Sequence, residues 1–124
     1  MEYFSNEAYY LFFSALANRP RLAIIDVLKE GPKTVSGVSD ALEIEEPIVA
    51  DNLKLLERFA LLCSKGSRKE QLFSLNKEIV EPLSELMAFH TNKYCPGLKT
   101  CITPEKLKVY MKKEAAKETF IEHQ

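Results

Sequence analysis

The sequence predicts a mainly α-helical fold that carries one small β-hairpin, and three observations support this. Residues 34–60 hold two short apolar patterns at helical spacing, with a predicted turn at 43–45 between them. Two short strand candidates, 61–65 and 71–75, follow directly and are separated by a glycine-containing, charged stretch. Further helical patterns lie on both sides of this unit. Two helices joined by a turn and followed by a hairpin are typical of a winged helix-turn-helix.

The first predicted helix runs from Asn6 to Ala17 and is apolar around most of its circumference. One face carries Leu11, Phe12, Ala15 and Leu16, and the rest is largely Tyr9, Tyr10 and Phe13. A core helix of a monomer is one interpretation. We favour a homodimer in which a second subunit covers one side, because such a helix otherwise leaves apolar surface in water.

The second predicted helix follows Asn18, whose side chain is suited to capping the free amide groups of a first turn. Gly31-Pro32 ends it. Its predicted core residues are Leu22, Ile24, Ile25 and Leu28.

The helix-turn-helix begins at Thr34, another residue that favours a helix N-terminus. Its first helix places Val35, Val38, Ala41 and Leu42 on one face. The second helix opens at Pro47, which is tolerated in a first turn because the missing N–H would be unpaired there. Its predicted inner face consists of Val49, Leu53, Leu56 and Ala60.

Beyond the hairpin, Asn76 is predicted to cap a helix that reaches about Asn92, and Pro96-Gly97 breaks the pattern. Its apolar stripe contains Ile79, Val80, Leu83, Leu86, Met87 and His90. Thr103-Pro104-Glu105 then predicts the start of a last helix that ends near Phe120. We expect the lysines of that helix, Lys106, Lys108, Lys112, Lys113 and Lys117, to form a solvated face, with phosphate contact as the alternative.

These elements fit a single domain of 124 residues. Residues 1–32 provide the N-terminal helices, 34–75 the helix-turn-helix and wing, 76–94 the dimerisation helix, and 95–124 a cysteine-bearing turn and C-terminal helix. The formal net charge of −1 lacks the basic surplus common in nucleic-acid-binding domains. With no long apolar run and no signal-peptide pattern, we expect a cytoplasmic protein that does not bind membranes.

Several segments together resemble the ArsR-type winged-helix repressors. They are 16–22, 35–42, 52–56 and 72–75, and the similarity covers about residues 8–101. The resemblance implies a homodimer joined through its first and last core helices. It also implies binding to a two-fold operator in double-stranded DNA, with release when a metal or metalloid binds.

The predicted DNA contacts combine the outer face of the second helix with cations near the wing. They are Lys33, Ala50, Asp51, Asn52, Lys54, Arg58, Lys65, Arg68 and Lys69. Glu45, Glu46 and Asp51 oppose phosphate binding, although a carboxylate can accept a hydrogen bond from cytosine. Asn52 either contacts adenine or braces the helix from inside. A glycine usually closes this helix in the family, and here Ala60 stands in its place.

The three cysteines favour free thiols over a disulfide framework. The stretch 89–101 resembles the end of the dimer helix in an arsenite-responsive branch of the family, in which two adjacent cysteines precede a third. Cys95 and Cys101 match the later two, and Tyr94 replaces the first.

Thiolates are the ligands that soft metals and metalloids prefer, so arsenite, an organoarsenical or zinc at Cys95 and Cys101 is one hypothesis. A reversible disulfide and silent cysteines are the alternatives. Cys63 is a weaker ligand candidate that we expect to be buried, and His90 is the other weaker candidate. With only His90 and His123 as histidines, and no nucleophile visibly paired to either, we expect no enzyme.

Overall fold

The computed structural model describes residues 4–97 and 103–122, with the stretch 114–122 as backbone only. In chain order the elements are α1 (Glu7–Leu16), α2 (Arg19–Leu28), α3 (Val35–Leu42), α4 (Glu46–Arg58), β1 (Leu62–Lys65), β2 (Leu72–Leu75), α5 (Lys77–Tyr94) and α6 (Pro104–Glu122). The order and type of these elements confirm the predicted fold class, and most of their bounds lie within one or two residues of the expected ones.

Side-chain caps begin the first three helices, as the sequence predicts. The side-chain oxygen of Asn6 accepts a hydrogen bond from Ala8 N, and that of Asn18 accepts one from Arg21 N. Thr34 Oγ1 accepts from Gly37 N at 3.1 Å. Each bond satisfies an amide that lacks a partner in the first turn of a helix.

The core lies between α2, α3, α4 and the inner side of the hairpin. Its fully buried side chains include Ile24, Val38, Val49, Leu53, Leu56, Leu61 and Phe73, joined by Leu107 from α6. Two predicted core positions are wrong for the single chain, since Leu22 is 42% exposed and Ala41 is also exposed. Ile44, in the turn before α4, is buried instead.

The wing is an antiparallel hairpin whose register pairs Leu62 with Leu75 and Lys65 with Leu72. Its second strand, β2, is tied to the segment before α3. Phe73 N donates to the Lys33 carbonyl at 2.9 Å, and Lys33 N donates to the Phe73 carbonyl at 3.0 Å. These backbone bonds fix β2 against the helix-turn-helix.

The end of α4 differs from the prediction that placed Ala60 on the inner face of the helix. Ala60 lies beyond the helix, is exposed and adopts the left-handed conformation with φ of 61°. Its N–H donates to Glu57 O, and Leu61 N donates to Leu56 O. This is the hydrogen-bond pattern that usually has glycine at the left-handed position.

The first turn of α5 lacks the side-chain cap predicted at Asn76. That side chain donates instead to the Ala60 carbonyl at 2.7 Å, so it joins the start of α5 to the end of α4. Pro82 lies in the second turn of the helix. Of the predicted apolar stripe, Val80 is buried, whereas Leu86 is 57% and Met87 50% exposed.

The last helix, α6, packs against α2 through the fully buried Leu107. The guanidinium of Arg19 lies 4.0 Å from the ring centroid of Tyr110. The predicted solvated face is confirmed for Lys106, Lys108, Lys112 and Lys113, whereas Lys117 lies outside the described side chains. Across the described ranges 4–97 and 103–122, none of the helices combines the length and apolar character needed to cross a membrane.

Candidate nucleic-acid interface

The outward face of α4 changes its charge along the helix. Glu46 in the first turn and Asp51 are exposed, and Lys54 and Arg58 are exposed further along. The hydroxyl of Ser36 donates to Glu46 Oε1 and so joins the two helices of the helix-turn-helix. The negative charge is therefore concentrated in the first half of α4 and the positive charge in the second half.

A cleft of about 540 Å³ separates this face of α4 from the wing. Ala50 and Lys54 line it from α4, and Arg68 and Gln71 line it from the hairpin. The other two wing cations, Lys65 and Lys69, are exposed. The structure thus brings three predicted DNA contacts, Ala50, Lys54 and Arg68, to one cleft although Arg68 lies in a different element.

Lys33 does not itself line this cleft, although it neighbours Phe73, which does. It is half-buried, its backbone is paired with Phe73, and its ammonium lies 3.6 Å from a carboxylate oxygen of Glu30. That carboxylate offsets part of the charge that Lys33 would bring to a phosphate.

The structure places Asn52 in the bracing role. Its Oδ1 accepts a hydrogen bond from Arg21 Nη1 at 3.1 Å. A guanidinium has only donors, so the amide oxygen is the atom that faces Arg21. A bidentate contact with adenine requires both the oxygen and the nitrogen of the amide. The hydrogen bond to Arg21 therefore engages one of the two atoms that such a contact needs, and it supports the bracing interpretation.

Sequence reasoning missed one group of polar residues behind the cleft. Ser64, on β1, hydrogen-bonds both Glu57 of α4 and Gln71 of the hairpin. Each of the three side chains is half-buried. Because the residues are separated in the chain and follow no recognised motif, only the packing of the wing on α4 identifies them.

The thiols differ from the expectation at one position. Cys63 is exposed on β1, so the prediction that it is buried is wrong. Cys95 is half-buried at the C-terminal end of α5, while Cys101 lies outside the described residues. His90 has its ring 5.3 Å from the ring of Tyr94. Within the part of the chain that the structure describes, no three His, Cys, Asp or Glu side chains are grouped to hold a metal ion.

An apolar groove of about 640 Å³ runs between α5 and the first two helices. Phe13, Leu16, Leu22, Val80, Leu83 and Met87 contribute its apolar lining. Phe13 is 48% exposed, and Leu22, which was predicted to be a core residue, also faces this groove. The groove thus brings together one exposed apolar residue from each of these three helices, Phe13 of α1, Leu22 of α2 and Met87 of α5.

Comparison with known proteins identifies the central segment. The family model described as "Bacterial regulatory protein, arsR family" matches residues 18–59. This segment is therefore similar to the helix-turn-helix of that family. The match begins at the cap of α2 and ends directly after α4, so it includes the elements that carry the outward face described above.

The similar curated proteins are regulators from Mycobacterium tuberculosis. The HTH-type transcriptional repressor SmtB is 34% identical over 61 residues, which cover 49% of this chain and 45% of SmtB. The HTH-type transcriptional regulator Rv2034 is 30% identical over 64 residues, which cover 52% of this chain and 60% of Rv2034. The chain spans about half the length of the curated relatives it matches.

Solved structures support the same fold. A homodimeric winged helix-turn-helix DNA-binding domain from Mycobacterium bovis matches with a TM-score of 0.63 and 24% identity, over 72% of this chain and 82% of that domain. HlyU from Vibrio cholerae matches with a TM-score of 0.60 and 25% identity, over 77% of this chain and 99% of HlyU.

The comparisons confirm the predicted winged helix-turn-helix fold and the resemblance to the ArsR-type regulators. The matched family and the similar proteins are transcriptional regulators rather than enzymes, as expected. The arsenite-responsive branch and the role of the C-terminal cysteines stay predictions.

Proposed function

We propose that this chain is a homodimeric transcriptional regulator that binds double-stranded DNA, with α4 in the major groove and the wing against the backbone. The observation that carries this proposal is the cleft lined by Lys54 of α4 and Arg68 of the wing. Two exposed cations on different elements that border one cleft suit a phosphate strand passing between them. Cations that neutralise phosphates release counterions and so supply affinity.

The charge distribution along α4 favours one orientation in the groove. The second half of α4, with Lys54 and Arg58, lies on the side of the basic wing and suits contact with the DNA backbone. The exposed Asp51 suits a base edge better, because a carboxylate accepts a hydrogen bond from the cytosine amino group and is repelled by phosphate. We therefore expect a half-site in which cytosine is favoured at the position that Asp51 faces.

The apolar groove supports the dimer. A single chain would leave Phe13, Leu22 and Met87 in water together, and contiguous apolar patches of this kind commonly mark protein interfaces. A second copy contributes the same surface in a two-fold interface. The homodimeric domain from M. bovis, which shares the fold, is consistent with this arrangement.

DNA binding is tested by a salt titration of the full chain with a mixed-sequence duplex of about 30 base pairs, long enough for two half-sites one helical turn apart. Fluorescence anisotropy measures the affinity. We expect the logarithm of the association constant to fall linearly with the logarithm of salt concentration, by roughly 0.9 for each phosphate neutralised. No complex at low salt would contradict the proposal and favour a protein-binding role for the acidic first half of α4.

We also propose that an effector acts at Cys95 with Cys101, as a thiophilic metal or metalloid or as a thiol oxidant. The support is the position of Cys95, half-buried at the end of the helix that lines the apolar groove, together with the resemblance. Since the described donors do not form a metal site, further ligands would have to come from Cys101 or the second subunit. A coupling of about 1–3 kcal/mol would change DNA affinity about 5- to 150-fold.

The effector hypothesis is tested by measuring DNA affinity with arsenite, zinc or hydrogen peroxide added separately. The wild type is compared with the double variant Cys95→Ser with Cys101→Ser. We expect one of these reagents to weaken binding by the wild type alone. Equal responses of both proteins would contradict the effector hypothesis and favour a regulator that binds DNA constitutively.

A further inference from the structure

A short chain of hydrogen bonds connects α4 to the wing. The hydroxyl of Ser64 donates to Glu57 Oε2, and its oxygen accepts a hydrogen bond from Gln71 Nε2 at 2.9 Å. Glu57 lies in the last turn of α4, Ser64 lies in β1, and Gln71 immediately precedes β2. Both edges of the hairpin are therefore tied through one hydroxyl group to α4, which is the recognition helix of the proposed function.

The chemistry of this connection is specific. A serine hydroxyl can donate one hydrogen bond and accept others, so it can serve Glu57 and Gln71 together. A carboxylate accepts only, and the Gln71 amide here donates. All three groups are half-buried, which reduces the competition from water that weakens hydrogen bonds between exposed side chains.

The connection reaches further toward the wing tip than the backbone contacts with Lys33 do. Ser64 is paired with Phe73, which carries those contacts, whereas Gln71 lies two residues nearer the tip and lines the cleft with Lys54 and Arg68. Between Ser64 and Gln71 the tip closes through Gly66, whose φ of 103° favours glycine, and through Glu70 N donating to Ser67 O. Arg68 is carried by this tip.

We propose that Glu57 and Ser64 are positioning residues that set the distance between the wing and the recognition helix. They make no predicted contact with DNA themselves. By holding Gln71, they keep Arg68 opposite Lys54, so that both cations reach the same phosphate strand. This inference rests on the proposed DNA-binding function.

A matched pair of variants tests the proposal. Glu57→Gln and Glu57→Met remove the same charge and have similar size, but only glutamine can accept the Ser64 hydrogen bond. Affinity for a mixed-sequence duplex is measured by fluorescence anisotropy for both, with and without Arg68→Ala. We expect Glu57→Met to bind about fivefold more weakly than Glu57→Gln, in the range of couplings found between residues of one hydrogen-bond network.

The coupling with Arg68 separates positioning from a general loss of stability. We expect Arg68→Ala to weaken binding in the Glu57→Gln background and to have little further effect in the Glu57→Met background, because the wing has already lost its position. Equal affinities of the two Glu57 variants, or equal effects of Arg68→Ala in both backgrounds, would overturn the inference while leaving the proposed function intact. Absence of salt-sensitive binding by the wild type would overturn both.

A second pair covers the case in which Glu57→Met does not fold. Ser64→Thr keeps the hydroxyl and adds a β-branched side chain that suits a strand, whereas Ser64→Ala removes the hydroxyl. We expect the threonine variant to bind as the wild type does and the alanine variant to lose affinity and its response to Arg68→Ala. Wild-type affinity of Ser64→Ala, with folding confirmed by circular dichroism, would exclude the positioning role.

Discussion

Arg21 Nη1 donates a hydrogen bond to Asn52 Oδ1 at 3.1 Å, and Arg21 Nε donates to the Ala15 carbonyl at 2.6 Å. A third bond joins Arg21 Nη2 to the Ser14 carbonyl at 3.3 Å. One guanidinium thus serves carbonyl groups at the end of α1, which have no partner within their helix, and the middle of α4. It connects the helix expected at the dimer interface with the helix expected to read DNA.

Replacing Arg21 with methionine should destabilise the protein. The change keeps much of the side-chain length but leaves part-buried carbonyl oxygens without these charged donors, and we expect a loss of about 2 kcal/mol. Urea unfolding at a fixed protein concentration measures it. Arg58→Met, at an exposed position near the end of α4, is the control and should cost less than about 1 kcal/mol. Similar losses of unfolding free energy in the two variants would show that the hydrogen bonds of Arg21 make no special contribution to stability.

Replacing Ala60 with glycine should stabilise the protein. Ala60 has φ of 61°, a conformation in which a Cβ costs roughly 1–2 kcal/mol and glycine has no such penalty. Part of the gain is offset by the greater freedom of glycine in the unfolded chain, which leaves about 1 kcal/mol. Thermal unfolding should show a Tm higher by about 4 °C.

The matched control for Ala60 is Ala41, an exposed alanine in the helical conformation of α3. Ala41→Gly should lower stability by up to about 1 kcal/mol, because glycine weakens a helix. Opposite signs at the two positions are the expected result. A loss of stability in both would contradict the assignment of strain to Ala60.

Removing the cations of the cleft should reduce the salt dependence of DNA binding. If Lys54 and Arg68 each contact one phosphate, the double variant Lys54→Ala with Arg68→Ala should lower the salt slope by roughly 1.8. Lys29→Ala is the control, because Lys29 directly follows α2 and its ammonium is 3.2 Å from a carboxylate oxygen of Asp26. An unchanged slope in the double variant, or an equal change with Lys29→Ala, would place the phosphate contacts elsewhere.

A charge introduced into the apolar groove should separate the subunits. Met87→Glu places a carboxylate on a surface that also contains Phe13 and Leu22, and burying it there without a partner is costly. Sedimentation equilibrium should show a monomer, whereas Val109→Glu, at an exposed position on α6, should leave the dimer unchanged. A Met87→Glu protein that remains dimeric would assign the interface to a different surface.

Much of the fold follows from local sequence signals. Helix starts at Asn6, Asn18 and Thr34 were predictable because a capping side chain acts on amides only two or three residues away. Asn76 is the same residue type at a similar position before a helix, but its side-chain amide donates a hydrogen bond to the Ala60 carbonyl. Because Ala60 is distant from Asn76 in the sequence, no local pattern predicts this contact.

The candidate site was predictable as a set of residues and not as an arrangement. Hydrophobic periodicity placed Lys54 on an outward face and turn composition placed Arg68 at a hairpin tip, but the cleft between them depends on how the wing packs on α4. The same limit applies to Cys63, for which residue type predicted burial whereas the alternation of β1 turned it outward.

The sequence by itself determined the order of elements, most helix starts, the two-stranded wing and the similarity of the central segment to ArsR-type regulators, because each depends on residues close together in the chain. Only the tertiary structure decided that Arg21 engages Asn52, that Ser64 links α4 to the wing, and that Leu22 joins an exposed groove. These contacts join residues distant in sequence, so they depend on the packing of whole helices and strands.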